Sequence, residues 1–194
     1  EWATAQELFR FAQRLVQTPS VSTHEGDVAA LVVEHLRTLG FADVRVNAMG
    51  SVIVTLGTGD GPTLLYDAHL DTVAPGTPES WRHPPYDGVI EDGALHGLGA
   101  VDMKGALASM IYGARQLLPW QDRLKGRLVL AFVVQEEPCE GLAMRYLIEE
   151  DGLRPDYVLL GEPTDLQISR GQRGRVMFKV AVTGRSSHGS QPQL

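Results

Sequence analysis

The sequence predicts an α/β protein: a three-layer domain with a mostly parallel or mixed central sheet flanked by helices, followed by the start of a second α+β domain. Three observations predict it. Apolar runs at residues 63–68, 127–134 and 157–160 lack period-two alternation, which suits strands covered on both faces. Helical patterns precede and separate these runs, the arrangement of a layered α/β domain. From Arg175 the pattern changes, because Val176, Phe178, Val180 and Val182 alternate with polar or smaller residues, as in a strand with one wet face. The boundary is therefore expected near Arg173, dividing the chain into 1–173 and 174–194. The second part is too short for a core of its own, so the sequence is expected to stop inside that second domain.

Each element has a local reason. Thr4 followed by Glu7 has the form of a capping box, and Leu8, Ala12, Leu15 and Val16 then share a helical face until Pro19. Val28, Leu31, Val32, Leu36 and Leu39 repeat that spacing, with Gly40 as the stop. Residues 41–46 alternate as a strand, 52–56 form another, and 57–62 make a turn. The helix expected over 103–118 carries Leu107, Met110, Ile111, Ala114, Leu117 and Leu118 on one side and ends at Pro119. A further helix over 142–150 buries Met144, Leu147 and Ile148.

Composition narrows the function classes. The 194 residues are 43% hydrophobic, an ordinary soluble globular composition able to bury one substantial core. The longest apolar run, 128–134, is far below the ~20 residues that span a bilayer, and no signal peptide is evident, so no membrane partner is expected. A formal charge of -7 argues against nucleic acid, whose phosphates require clustered Lys and Arg. Cys139 is the only cysteine, which excludes an intrachain disulfide and favours a cytoplasmic setting.

The chemistry collects at strand ends. The run ending at Tyr66 leads into Asp67, His69 and Asp71; the run ending at Val134 leads into Glu136 and Glu137; the run ending at Leu160 leads into Glu162. In open α/β sheets the ligand site lies beyond the carboxyl ends of the strands, so these groups share one rim. Asp102 joins them between the glycine-rich 96–100 loop and the following helix. Carboxylates gathered this closely need compensating cations, and Lys104 is the only one nearby in sequence. One imidazole among several carboxylates suits zinc, with manganese or cobalt able to use the same ligands. Singly, each residue has a plainer explanation: a surface histidine, a helix cap at Asp102, a solvated loop at Glu136 and Glu137.

The segments Asp67-Ala-His-Leu-Asp-Thr-Val73, Gly97-Leu-Gly-Ala-Val-Asp-Met-Lys-Gly105, Gln135-Glu-Glu137 and Gly161-Glu-Pro-Thr164 resemble the zinc metallopeptidase and amidohydrolase family of acetylornithine deacetylase, succinyl-diaminopimelate desuccinylase, aminoacylase and glutamate carboxypeptidase. Residues 135–141 and 170–175 are similar to a subgroup of selenium-metabolism hydrolases within it. The resemblance implies a zinc-exopeptidase-like fold, with residues 1–173 as the catalytic metal-binding domain and 174–194 as the beginning of a lid or dimerisation domain. It implies that Asp102 bridges two zinc ions, with His69 and Glu162 on one and Glu137 on the other. Asp71 would orient His69 through its second ring nitrogen, Glu136 would be the general base, and His188 would reach from the second domain, across a homodimer, to stabilise the tetrahedral oxygen. The implied substrate is an N-acyl amino acid or short peptide.

That ligand set is one short, because the zinc on Glu137 receives only Asp102, Glu137 and water where a tetrahedral site wants four. The family supplies a histidine from far downstream; His24, His35, His83 and His96 are the remaining histidines in this chain. The 194-residue chain is therefore expected to hold one metal well and the second weakly, and to be inactive alone. Leu98 and Ala68 depart from the frequent Arg and Gly of the family without removing a ligand. Two other classes stay open: a non-catalytic metal-binding module of the same fold, and a nucleotide-binding domain resting only on Gly97 and Gly99.

Overall fold

The computed structural model describes residues 2–171, 173–178, 180–181, 183–184 and 190. The chain divides into two compact units, Glu1–Pro163 and Thr164–Leu194. The first contains every regular element among the described residues.

Helix α1, Trp2–Gln17, begins three residues before Ala5, the first helical position that the Thr4 capping pattern predicts. Helix α2, Gly26–Thr38, ends as expected: Gly40 N–H donates to Arg37 O and Phe41 N–H to Leu36 O, the paired bonds of a Schellman motif. Strands β1 (Val44–Val46), β2 (Val52–Leu56) and β3 (Thr63–His69) follow. A hairpin of β4 (Val89–Glu91) and β5 (Ala94–His96) comes next. A wide turn over Ala100–Lys104 leads into α3 (Gly105–Arg115). Then come β6 (Arg127–Val133), α4 (Leu142–Glu149) and β7 (Tyr157–Leu160).

The main sheet is mixed and has the order β1-β2-β6-β3-β7. Strands β3, β6 and β7 run parallel, while β1 and β2 are antiparallel additions beside β6. Alternation within β2 and β6 sorts the core into two layers. Val52, Val54, Leu128, Leu130 and Phe132 pack against Phe11, Leu15, Val32, Leu36, Leu107 and Ile111 of α1, α2 and α3. On the other face, Ile53, Val129, Ala131 and Val133 meet Ala143 and Leu147 of α4. The three-layer expectation is met, and β6 at the centre is buried from Leu128 to Val133.

Two expectations are corrected. Strand β7 is exposed along its whole length, not covered on both faces: it lies at the sheet edge, and among the described residues its only ladder partner is β3. An apolar run identifies a strand without telling whether a neighbour covers it. The alternating stretch from Val176 forms no strand among its described residues, since alternation becomes a strand only when a ladder partner is present. No helix among the described residues is long and apolar enough to cross a membrane.

Candidate metal centre

Parallel strands β3 and β6 end side by side, with His69 opposite Val133, and Leu70 N–H donates to Val133 O. This register delivers the residues that follow each strand to one rim. His69 is buried, and its backbone N–H points at the Met103 sulfur 3.1 Å away. Its Nδ1 donates to the Asp71 carbonyl oxygen at 2.9 Å, which leaves Nε2 as the outward nitrogen. That nitrogen lies 2.9 Å from Asp102 Oδ1 and 3.8 Å from Glu162 Oε1.

His69, Asp102, Glu136, Glu137 and Glu162 thus converge. Ligand atoms of His69, Asp102 and Glu137 lie within 4.8 Å of one another, as do those of His69, Glu136 and Glu162. Glu136 and Glu137 join different groups, which fits neighbouring side chains that diverge. His188 lies outside the described residues. His24 is next to Thr23, and His35 is packed between Phe11 and Tyr112. His83 and His96 belong to a separate cluster, so among the described residues none of the four joins the groups around His69.

Asp71 acts differently from a simple partner of His69. Its carboxylate is 3.7 Å from Nδ1, beyond hydrogen-bonding range, and the carbonyl orients the ring instead. The fully buried carboxylate accepts from Ser22 Oγ at 2.6 Å and from the backbone N–H groups of Glu136 and Glu137 at 3.0 and 3.2 Å. It therefore ties the end of β3 to the two acids that follow β6. Glu25 adds a second tie: its Oε1 accepts from Thr23 N–H and Gln135 N–H, and Gln135 adopts a positive φ of 57°. Sequence reasoning missed Ser22 and Glu25. Their signal, a polar stretch just after α1, looks like any surface loop until it is placed against Thr72 by the Val21 bridge.

The glycine turn before Asp102 has a packing reason. Gly97 and Gly99 have φ of 153° and 77°, and a Cβ on either would sit 2.3 Å from Val16 or 2.7 Å from Thr72. This close approach accounts for both glycines without a nucleotide. Lys104 is equally structural: its buried ammonium donates to Leu15 O and Thr18 O at the end of α1, and burial lowers its pKa to about 8. It does not neutralise the acids of the rim by contact.

The electrostatics show what that lack costs. Burial, with the charges of Glu162, Glu137 and Glu140, outweighs His69 and pushes Glu136 up to about 7. Burial and the charge of Asp102 likewise raise Glu137 and Glu162. Asp67, two residues before His69 on β3, is pushed up to about 7 by burial and by Glu162 and Glu136, and its buried Oδ1 has no hydrogen-bond partner among the described residues. For His69, burial opposes the charged form, but Asp102, Asp71 and Glu162 together raise its pKa. Nitrogen and oxygen donors around one point, an excess of anions and an orphaned buried oxygen fit divalent cations, whose charge would relieve this repulsion.

Similar proteins identify the family and the fold. The chain is 38% identical over 188 residues to the uncharacterized protein YgeY of Escherichia coli (strain K12), covering 96% of this chain and 46% of that protein. The chain thus spans about half the length of the curated relatives it matches. An M20 family metallo-carboxypeptidase from Sulfolobus solfataricus superposes with a TM-score of 0.70 at 21% identity, over 80% of this chain and 37% of that one. The di-peptidase Dug1p of Saccharomyces cerevisiae does so with a TM-score of 0.64 at 22% identity, over 77% and 36%. The pattern of one family spans residues 65–187, from the middle of β3 past every residue of the rim, and the chain belongs to that family, peptidase family M20/M25/M40.

Proposed function

We propose that this chain carries the catalytic metal centre of a two-zinc hydrolase that cleaves the amide bond of an N-acyl amino acid or short peptide. The observation that carries the reading is His69, buried with Nδ1 committed to a carbonyl and Nε2 directed at Asp102 and Glu162. A neutral imidazole in that tautomer presents a lone pair, and the surrounding carboxylates present the rest of a zinc-type donor set. His69, Asp102, Glu137 and Glu162 would hold the cations, with Asp102 shared between them. Bound there, the cations would supply Lewis acidity toward the amide carbonyl and acidify a water.

Glu136 is the base in this reading. Its backbone is pinned by Asp71, and its carboxyl is half-buried with a pKa raised toward 7, near the value a proton shuttle needs at neutral pH. It takes the proton of the attacking water and returns it to the leaving nitrogen. His188 would donate a hydrogen bond to the tetrahedral oxygen, from a lid or dimerisation domain that begins near residue 174 and pairs two copies of the full-length protein. The substrate class is supported by the carboxypeptidase and di-peptidase described among the structural neighbours.

A second reading keeps the metal without turnover. It is favoured by the Glu137 group, to which no histidine other than His69 contributes among the described residues. The test uses the full-length protein and its Glu136→Gln variant. Hydrolysis of a panel of N-acyl amino acids and dipeptides should fall by about 10²–10⁴-fold in the variant while zinc content stays unchanged. Near-wild-type turnover would remove Glu136 from the base role, and zinc-loaded wild-type protein without turnover would favour the non-catalytic module.

A further inference from the structure

The β4–β5 hairpin carries a second set of ligating side chains that this chemistry does not use. Asp92 and Gly93 both have positive φ, 51° and 77°, so the strands are joined by a two-residue turn of the type that locks hairpin register. Val89 lies opposite His96 and Glu91 opposite Ala94. Because side chains alternate along a strand, Glu91 and His96 leave the same face as diagonal neighbours. His83 reaches that face from the preceding loop, with Nε2 3.1 Å from Glu91 Oε2 and its ring centroid 5.0 Å from that of His96. One ligand atom from each of the three lies within 4.8 Å of the others. Leu98 N–H donates to Pro85 O at 2.7 Å, fastening the loop to the hairpin just beyond both histidines.

We propose that His83, Glu91 and His96 form a second transition-metal site, separate from the His69 centre, that takes zinc or a similar borderline divalent cation. Two imidazoles and one carboxylate are a zinc-type donor set, and three protein ligands leave a fourth position for water or an outside ligand. The histidines come from different segments, and a two-residue hairpin fixes two of the three ligands, so little order remains to be imposed on binding. Arg82 is the competitor: its guanidinium lies 2.7 Å from Glu91 Oε2. That oxygen is the one His83 also touches, and the Arg82 side chain is 69% exposed, so the pair is weak. Bound metal would bolt the 81–85 loop to the hairpin that leads into the Gly97 turn and Asp102.

The site is tested with Zn²⁺ alone, by calorimetric titration and by histidine-ring ¹H–¹⁵N spectra. His69→Ala removes the ligand common to both groups of the first centre, so failure of the hairpin site is distinguishable from failure of that centre. This variant should still take up an equivalent of Zn²⁺, with the ring signals of His83 and His96 shifting together, and the same two signals should shift in the wild-type chain. Adding His83→Ala and His96→Ala should abolish that uptake, and adding Arg82→Ala instead should tighten it by up to about fivefold. The proposal is overturned if the ring signals of His83 and His96 stay fixed under Zn²⁺ in the wild-type chain, or if the His69 variant takes up Zn²⁺ to the same extent and as tightly after loss of both hairpin histidines as before it.

Discussion

Two histidines in this chain, one half-buried and one buried, are driven in opposite directions. His35, on α2, stacks on Phe11 with centroids 3.7 Å apart and an interplanar angle of 8°, and its Nε2 meets Tyr112 Oη at 3.2 Å. Burial, reinforced by Arg14 and Arg115, lowers its pKa to about 4. His69 suffers the same opposition from burial, yet Asp102, Asp71 and Glu162 raise it above its ordinary value. Burial alone therefore does not mark a functional histidine. The helix layer surrounds its ring with aromatic surface and distant cations, which keep it neutral and make it a packing element. The sheet rim surrounds its ring with the carboxylates of Asp102, Asp71 and Glu162, and that excess of anions calls for a metal.

The sharpest way to break this contrast is to remove the rim histidine. In a His83→Ala/His96→Ala background, which isolates the first centre, His69→Ala should lower zinc affinity by more than the ~10–100-fold typical of losing an outer partner. Competition against a chelator measures it. Affinity within a few-fold of the parent would mean that the carboxylates suffice and the contrast is empty. Replacing His35 by Phe in the same background should leave zinc affinity unchanged.

Asp71 gives the next effect in size. Asp71→Ala leaves the Ser22 hydroxyl and the Glu136 and Glu137 amides without their acceptor at a part-buried site. Hydrogen bonds to a buried charge contribute about 1.5–3 kcal/mol each, but the loop can relax, so a loss near ~3 kcal/mol is expected in denaturant unfolding. Amide exchange at Glu136 and Glu137 should accelerate together. Unchanged exchange at both would show that the turn after β6 holds itself.

These cases also show what could be read in advance. The convergence of His69, Asp71, Asp102, Glu136, Glu137 and Glu162 was legible because parallel strands must end at a common rim, so strand order hardly matters. Strands β3 and β6 were legible from their apolar runs. The β4–β5 hairpin was not, although Asp92-Gly93 is a strong turn signal: its strands are three residues each, and Glu91 and His96 break any apolar pattern. Nor was the work of Ser22 and Glu25, whose partners lie 49 and 110 residues away and depend on hydrogen bonds that no local periodicity records. The exposure of β7 was illegible for a related reason, since composition describes a strand but not its neighbours.

The smallest expected effect tests the neutral half of the contrast. His35 has a folded pKa of about 4 against an ordinary value of 6.5, so between those limits the unfolded chain binds the extra proton and the folded chain does not. The sign follows: the contribution of this site is fully present above pH 6.5 and is lost as pH falls toward 4. One proton limits the slope to about 1.4 kcal/mol per pH unit. His35→Phe keeps a flat ring against Phe11 and cannot take up that proton. Denaturant unfolding of the two proteins at pH 7, 6, 5 and 4.5 should therefore show the variant gaining on the parent as acid is added. A constant difference across that range would mean that His35 is solvated and charged in the fold, and that the helix layer does not set it apart from His69.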